Sequence, residues 1–307
     1  MTFFLEQLLN GVQLGLLLFL LAAGLTLVFG IMDLVNLAHG SLYMVGAYLA
    51  ASLTVMLKSF VLGVIAALAG TALLGIALEM LALRRLYPRD HLDHVLGTFG
   101  LILFFNEAVR LIWGAAGMTL AVPPYLNGLV EVLPGVAYPI YRLAIIIAGV
   151  LVALFLYVLV QHTRVGMLIR AGASNREMIG ALGVNINRLY TIVFSVGAAL
   201  AALAGIMAAP ILTVQIGMGE NILILAFVVI VIGGIGSVRG ALVAALLIGL
   251  IDTMGRAYLP DLLRLIFTAR AASVTGPALS SMMIYLVMAA FLIVRPEGLF
   301  PVPSARR

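Results

Sequence analysis

Residues 7–31 read QLLNGVQLGLLLFLLAAGLTLVFGI and contain no charged side chain. A helix needs roughly 20 such residues to cross the hydrocarbon core of a bilayer. Further predominantly apolar runs occupy residues 34–57, 60–83, 95–113, 141–161, 189–209, 221–238, 240–258 and 278–295. They are continuous rather than alternating, which favours helices over a β-barrel. We predict an all-α integral membrane protein, a polytopic bundle of about eight or nine transmembrane or re-entrant helices. These form one transmembrane domain, residues 1–307.

The composition supports this fold class. Of the 307 residues, 64% are hydrophobic and 9% are charged, whereas a soluble domain carries about a quarter charged residues. The absence of cysteine excludes disulfide bonds and thiolate metal sites. The 17 Lys and Arg residues lie mostly between the apolar runs, which indicates membrane topology rather than nucleic-acid binding.

The distribution of arginine predicts an orientation, because short loops rich in Lys and Arg face the cytoplasm. Such arginines are Arg84, Arg85, Arg89, Arg164, Arg170, Arg176, Arg188, Arg239, Arg295, Arg306 and Arg307. Segment 114–140 has no Lys or Arg. Alternating spans then place the N-terminus outside and the C-terminus in the cytoplasm. Segment 259–277 fits this orientation less easily, because Arg264 and Arg270 would lie on the outer side of the membrane. We expect a short interfacial helix there.

Small residues predict close packing between helices. Gly11 and Gly15 form a GxxxG pair, and GAALAALAG at 197–205 presents small side chains on nearly every helix face. In lipid, small residues let helix backbones approach each other.

A polar island interrupts the apolar chain at residues 162–188, read from Gln161 as QHTRVGMLIRAGASNREMIGALGVNINR. Ser174 and Glu177 match a capping box at a helix start, and Gly183 is suited to end that helix in a left-handed conformation. The apolar Met178, Ile179 and Leu182 are spaced to lie on one side. The residues assigned to the helix and its ends are Ser174, Asn175, Glu177, Met178, Ala181, Leu182 and Gly183. Two interpretations are open: a helix that lies on the lipid surface and connects two spans, or a helix that docks into a partner.

Several kinds of catalytic motif are missing. The only lysine is Lys58, which follows Leu57, so the chain has no Walker A sequence GxxxxGKS or GxxxxGKT. Neither the zinc motif HExxH nor the nucleophile motif GxSxG occurs. We therefore expect a protein that is not an enzyme and has no ATPase site of its own.

Two polar or glycine-rich blocks interrupt apolar runs. They comprise Asn36, His39, Gly40 and Ser41 in the first block, and Gly233, Gly234, Gly236 and Ser237 in the second. Polar groups at membrane depth usually face a cavity or another helix, and broken helices in two halves of a chain often surround a transport path. One hypothesis is that these residues shape the path or its cytoplasmic gate. The other is that they serve only helix packing and capping.

Two pairs of opposite charges have helical spacing. Glu107 and Arg110 are three residues apart, and Asp252 and Arg256 are four apart. Such pairs neutralise each other on a helix face. We interpret them as structural ion pairs, with a role in receiving a substrate protein as the alternative.

Four segments together resemble a known family. They are GLTLVFGIMDLVNLAHGSLYMVGAY (24–48), RAGASNREMIGALGVNINRLYTIVFSVGAALAALAGIMAAPI (170–211), VVIVIGGIGSVRGALVAALLIGL (228–250) and RPEGLF (295–300). They are similar to the LivH-type permease subunits of bacterial ATP-binding-cassette (ABC) importers for branched-chain amino acids. The resemblance covers essentially the whole chain. The segments 170–211 and 228–250 are specific to this type of permease and to related sugar permeases.

The resemblance implies partners and a source of energy. The partners would be a second, homologous permease subunit in a heterodimer, two cytoplasmic ATPase subunits, and a periplasmic substrate-binding protein that sets most of the specificity. The chain itself would bind no cofactor, ATP would be used by the ATPase subunits, and loop 162–188 would carry the coupling helix that contacts them.

Two alternatives to this function are open. One is an ABC permease for another small solute, such as an amide, urea or a sugar. The other is a stand-alone secondary transporter or channel, which needs acidic ion sites within the membrane. Its candidates are Asp33, Glu79, Glu107 and Asp252.

Overall fold

The computed structural model describes residues 2–300, which are helical apart from one small β-hairpin. The α-helices are α1 (Thr2–Met32), α2 (His39–Leu57), α3 (Phe60–Leu78), α4 (Arg84–Leu86), α5 (His91–Trp113), α6 (Ile140–His162), α7 (Arg164–Ser174), α8 (Arg176–Ala181), α9 (Ile186–Ala208), α10 (Met218–Gly233), α11 (Val238–Leu263) and α12 (Ala269–Val294). A π-helical turn, Glu79–Leu83, joins α3 to α4, and a 3-10 turn covers Pro124–Leu126. Strands β1 (Leu129–Leu133) and β2 (Val136–Pro139) pair antiparallel. The predicted all-α membrane fold is confirmed.

Eight helices in the described part of the chain are long and apolar enough to cross a membrane. They are α1, α2, the continuous helix Phe60–Leu86, α5, α6, α9, α11 and α12. The remaining predicted run, 221–238, corresponds to α10, which has 16 residues and is about 24 Å long at 1.5 Å per residue.

The short helix α10 begins between α5 and α2 and ends near the end of α1. Near its start, Glu220 accepts a hydrogen bond from Asn106 Nδ2 at 2.5 Å, seven residues before the end of α5, and Gly219 packs on Gly40 at the start of α2. Just beyond its end, the Cα of Gly236 packs on Gly30, close to the end of α1. Helix α10 therefore leads the chain towards the end of the bundle at which α1 ends, and the alternation of nine spans stays a prediction.

The two ends of α6 define the two sides of the molecule. The β-hairpin precedes α6, and residues 162–188 follow it. We call these the hairpin side and the island side. On the hairpin side, the segments after α5 and α9 meet through paired backbone hydrogen bonds between Met118 and Val214.

Helix α1 is the centre of the bundle. Of the 18-residue apolar stretch of α1, 83% is buried, whereas the corresponding shares are 17% in α6 and 11% in α12. Helices α9 and α11 pack along it, and α6 and α10 complete its surroundings. The apolar faces of α6 and α12 are thus available to lipid or to another subunit.

Glycine allows this central helix to touch its neighbours backbone to backbone. A Cβ added to Gly15 would lie 2.8 Å from the carbonyl oxygen of Ala245 and from the Cα of Leu246 in α11. Gly24 meets Gly197 of α9 in the same way, with a Cβ at Gly24 falling 2.8 Å from the Gly197 oxygen. The close packing predicted from the small residues is confirmed.

The interfacial helix expected within 259–277 is absent from the described structure. Helix α11 continues to Leu263, and α12 begins at Ala269. Gly276 packs directly on Pro260, so the chain must reverse within a few residues and leaves no room for a separate helix. Arg264, which fitted the predicted membrane orientation poorly, forms an ion pair with Asp261 at 2.9 Å.

The substitution Gly15→Ala is expected to lower the thermal unfolding temperature of the purified protein in detergent. Its methyl group must displace the α11 backbone, and overpacking of this kind costs about 1–3 kcal/mol. Gly100→Ala in α5 is the matched control, because no atom lies within 4 Å of a Cβ at that position. The control should unfold at the wild-type temperature or above it, since alanine favours helix more than glycine does. Equal losses in both variants would contradict a close α1–α11 contact.

Candidate functional site

The polar island folds into two helices rather than one. Helix α7 begins at Arg164, where the Thr163 hydroxyl accepts a hydrogen bond from the Gly166 amide at 3.0 Å. Arg170 donates back to the carbonyl of Val160 in α6. A Cβ on Gly172 would contact Ile31 of α1 and Leu189 of α9 at 3.6–3.7 Å. The first island helix is therefore fixed to the body of the bundle.

The predicted helix start at Ser174 is wrong by one residue. Ser174 is the last residue of α7, and the Asn175 side chain caps α8 by accepting from the Met178 amide at 2.9 Å. Asn175 is extended, with φ −156° and ψ 95°, so the chain breaks there, and only a residue at the break can act as the cap. Glu177 belongs to α8, but its side chain lies outside the described part of the structure.

The predicted end of this helix at Gly183 is confirmed. Gly183 has φ +87°, which glycine adopts without the steric cost a Cβ brings. The Val184 amide donates to the Ile179 carbonyl at 3.2 Å and the Gly183 amide to Gly180 at 3.0 Å. These bonds satisfy the last carbonyls of α8.

The apolar residues of α8 do not share one face. Ile179 is buried, whereas Met178 is 61% exposed and Leu182, in the turn after the helix, is 78% exposed. Ala181 is also exposed. The island thus carries two large apolar side chains, four residues apart, that no other described residue covers.

A buried carboxylate lies near the island. Glu79 is fully buried and accepts hydrogen bonds from Arg84 Nε at 3.2 Å and Nη2 at 3.0 Å, from the Tyr87 hydroxyl at 2.9 Å, and from the Thr191 hydroxyl of α9 at 2.7 Å. Burial, together with the Glu79 carboxylate, raises the pKa of the Tyr87 hydroxyl, which stays protonated as a donor. The π turn brings Glu79 and Arg84, five residues apart, onto one face. Sequence reasoning missed this cluster because an α-helix would point the two side chains apart.

An island-side cavity of about 510 Å³ borders this cluster. Its wall carries the side chains of Arg84, Arg188, Asn185, Asn187 and Thr191. Asn185 caps α9 by accepting from the Arg188 amide at 3.1 Å. The base of α9, close to the exposed α8, is therefore polar and basic.

The first predicted path block lies in the packed interior. Asn36, His39, Gly40 and Ser41 are all buried, and α2 begins at His39. The His39 ring faces the Leu21 backbone of α1. The Asn36 amide has no hydrogen-bond partner among the described residues. A buried amide of this kind carries unused hydrogen-bonding capacity.

The second predicted path block forms the turn between α10 and α11. Gly234 and Gly236 have φ +99° and +82°, and the Ser237 hydroxyl caps α11 by accepting from the Gly240 amide at 3.1 Å. Gly233 packs on Gly240, with a Cβ at Gly233 falling 2.5 Å from the Gly240 carbonyl carbon. Packing and capping account for these contacts, and the path role of both blocks stays a prediction.

Residues 295–300 close over this turn. The amides of Leu299 and Phe300 donate to the carbonyls of Ile232 and Gly233 at 2.8 and 3.1 Å. The segment RPEGLF, noted for its sequence, therefore completes the hydrogen bonding at the end of α10.

Both ion pairs expected from helical spacing are present. Arg110 Nη1 lies 2.8 Å from Glu107 Oε1, and both side chains are exposed. Arg256 Nε lies 2.8 Å from Asp252 Oδ1, with the Asp252 side chain only 10% exposed. Arg256 also donates to the Ser281 hydroxyl at 3.0 Å, which ties α11 to α12.

A hairpin-side cavity of about 590 Å³ contains the second of these pairs. Helix α1 contributes Gln7, Asn10 and Gln13 to its wall, and α6 contributes Arg142. Sequence reasoning did not single out these four residues, although Gln7, Asn10 and Gln13 recur every three residues along one helix face of an otherwise apolar run. Neither this cavity nor the island-side cavity is lined by a residue of the two predicted path blocks.

Comparison with known proteins identifies the family. Residues 7–292 match the family described as branched-chain amino acid transport system, permease component. The chain is 30% identical over 318 residues to the high-affinity branched-chain amino acid transport system permease protein BraD of Pseudomonas aeruginosa, covering 99% of this chain and 98% of BraD. It is 30% identical over 273 residues to the corresponding LivH protein of Escherichia coli, covering 84% and 87% of the two chains.

A more distant relative, the probable branched-chain amino acid transport permease protein LivH of Methanocaldococcus jannaschii, is 26% identical over 301 residues. No solved structure matches the chain. On the extent of the family match and of the identity to BraD, this multi-pass membrane protein belongs to the family of permease components of branched-chain amino acid transport systems.

Proposed function

We propose that the chain is the membrane-spanning permease subunit of an ABC importer in the bacterial inner membrane. Its cargo is branched-chain or related hydrophobic amino acids, because the similar proteins BraD and LivH are permeases for branched-chain amino acids. Energy comes from two cytoplasmic ATPase subunits, since the sequence has no Walker A motif. A periplasmic binding protein delivers the cargo, and a second, homologous permease subunit covers part of the exposed apolar surface of α5, α6 and α12.

The arginine distribution supports placing the island side in the cytoplasm. Arg84, Arg164, Arg170 and Arg188 lie on that side, whereas segment 114–140 on the hairpin side has no Lys or Arg. The hairpin side is then periplasmic.

The exposed helix α8 is the observation that carries the proposal of ATPase coupling. Met178 and Leu182 project from a helix that is capped at both ends, and an ordered helix with exposed apolar residues suits insertion into a groove. The island-side cavity adds the charge of Arg188, since the charge of Arg84 is neutralised by Glu79.

The acidic side chains considered as ion sites already have hydrogen-bond or ion-pair partners, which argues against a stand-alone secondary transporter. Glu79 accepts hydrogen bonds from Arg84, Tyr87 and Thr191. Glu107 forms an ion pair with Arg110, and Asp252 forms one with Arg256. Asp33 lies in the turn after α1, at one end of the bundle. A carboxylate already neutralised by a fixed guanidinium is a poor site for a transported cation.

Leu182→Glu is expected to reduce both copurification with the ATPase subunits and ATP-dependent uptake by about tenfold or more. The new carboxylate would have to be desolvated in the docking groove, and losing a central apolar contact costs about 2 kcal/mol. Leu265→Glu is the matched control, because Leu265 is equally exposed, at 84%, but lies on the hairpin side. Wild-type copurification and uptake in Leu182→Glu, or an equal loss of both in Leu265→Glu, would contradict docking through α8.

Uptake by the reconstituted complex tests the cargo. Proteoliposomes that contain both permease subunits and both ATPases should accumulate leucine, isoleucine or valine when ATP and the loaded binding protein are supplied. Uptake should stop without ATP. Accumulation of urea, an aliphatic amide or a pentose in place of these amino acids would exclude the proposed cargo, and uptake that needs no ATPase subunit would exclude the ABC mechanism.

A further inference from the structure

The hairpin-side cavity combines a polar wall with an apolar one. Gln7, Asn10 and Gln13 of α1 and Arg142 of α6 form the polar wall, and Leu14 and Leu17 continue along α1 below them. Its volume of about 590 Å³ is within the usual range for small-molecule sites, about 300–1,000 Å³. The cavity opens on the side proposed to be periplasmic, where cargo arrives.

Arg142 lines this cavity without a carboxylate partner in residues 2–300. Its Nη1 donates to Asn10 Oδ1 at 2.6 Å, and the Tyr138 hydroxyl donates to the same oxygen at 3.1 Å. No ion pair to Arg142 occurs in this part of the chain. The guanidinium is thus held in place by a neutral amide, and most of its five N–H donors are uncommitted.

The other charges of the cavity cancel. Asp252 accepts from Arg256 Nε with both oxygens, at 2.8 and 2.9 Å. Because this pair is neutral, the charge of Arg142 gives the lining a net charge of +1. A half-buried, positioned guanidinium with no anion is the side chain best suited to bind a carboxylate through two parallel hydrogen bonds.

We propose that Arg142 binds the α-carboxylate of the transported amino acid in the hairpin-side cavity, before the substrate enters the membrane. Asn10 and Tyr138 position the guanidinium. The oxygens of Gln7, Gln13 and Asp252 offer acceptors for the ammonium group, and Leu14 and Leu17 offer an apolar wall for an aliphatic side chain. This site rests on the proposed function, because it takes an amino acid as cargo.

Thermal stabilisation of the purified transporter complex, without the binding protein, tests the site. Leucine should raise the unfolding temperature, and leucinamide, which has the same side chain and amine but no carboxylate, should not. In Arg142→Gln the leucine concentration for half-maximal stabilisation should rise by about tenfold or more, as expected for loss of a charge-assisted bidentate contact. Arg142→Lys should show an intermediate shift, because lysine keeps the positive charge but lacks the planar guanidinium that forms two parallel hydrogen bonds to a carboxylate.

Two control variants separate binding from folding. Arg110→Gln removes another arginine on the same side, outside the cavity and paired with Glu107, and should respond to leucine as the wild type does. Tyr138→Phe removes one support of Asn10 but leaves the guanidinium, and should keep most of the response.

Three results would overturn the site. They are an unchanged leucine response in Arg142→Gln, an equal response of the wild type to leucinamide, and normal leucine binding in Arg142→Gln with loss of stimulation by the binding protein. The last result would assign Arg142 to a carboxylate of that protein. Wild-type uptake of leucine with ATP, measured in parallel, shows whether the proposed function stands when the site fails.

Discussion

Direct backbone contact along α1 is the constraint on which the bundle depends. Lipid is as apolar as leucine, so helices in a membrane gain little from hydrophobic burial and must associate through packing. Gly15, Gly24 and Gly30 of α1 meet Ala245, Gly197 and Gly236 respectively, on three different parts of the chain. A single helix thereby fixes the positions of α9, α10 and α11. The same helix touches α7 on the island side and lines the cavity on the hairpin side, so it joins both proposed working regions.

Properties set by local spacing were predictable from the sequence. The apolar runs, the left-handed end at Gly183, and the pairs Glu107–Arg110 and Asp252–Arg256 each depend on residues within one or two helical turns. The cap of α8 was misassigned because Ser174 and Asn175 are both good caps. The choice between them depends on where α7 ends, and that end is set by packing of Gly172 on α1 and α9.

Properties set by distant contacts or unusual backbone were not predictable. The Glu79 cluster requires a π turn, which has no reliable sequence signal, and a partner 112 residues away in Thr191. The hairpin-side cavity requires Asn10 and Arg142, 132 residues apart, to meet. The two path blocks show the reverse case. Their composition attracted attention, yet their glycines are explained by close packing. The buried Asn36 amide and His39 ring, which have no hydrogen-bond partner among the described residues, are not explained by packing.

The single-residue junction at Asn175 has a mechanical consequence. Helices α7 and α8 share this residue as C-cap and N-cap, so rotation of only two dihedral angles reorients α8 while α7 keeps its hydrogen bonds. Beyond α8, the few residues 182–185 lead into α9, whose Thr191 is held by the buried Glu79. A force on α8 would therefore act on the single-residue junction at Asn175 on one side and on α9 on the other. Helix α9 packs on α1, where Gly197 meets Gly24, so a displacement of α8 would reach the central helix through α9.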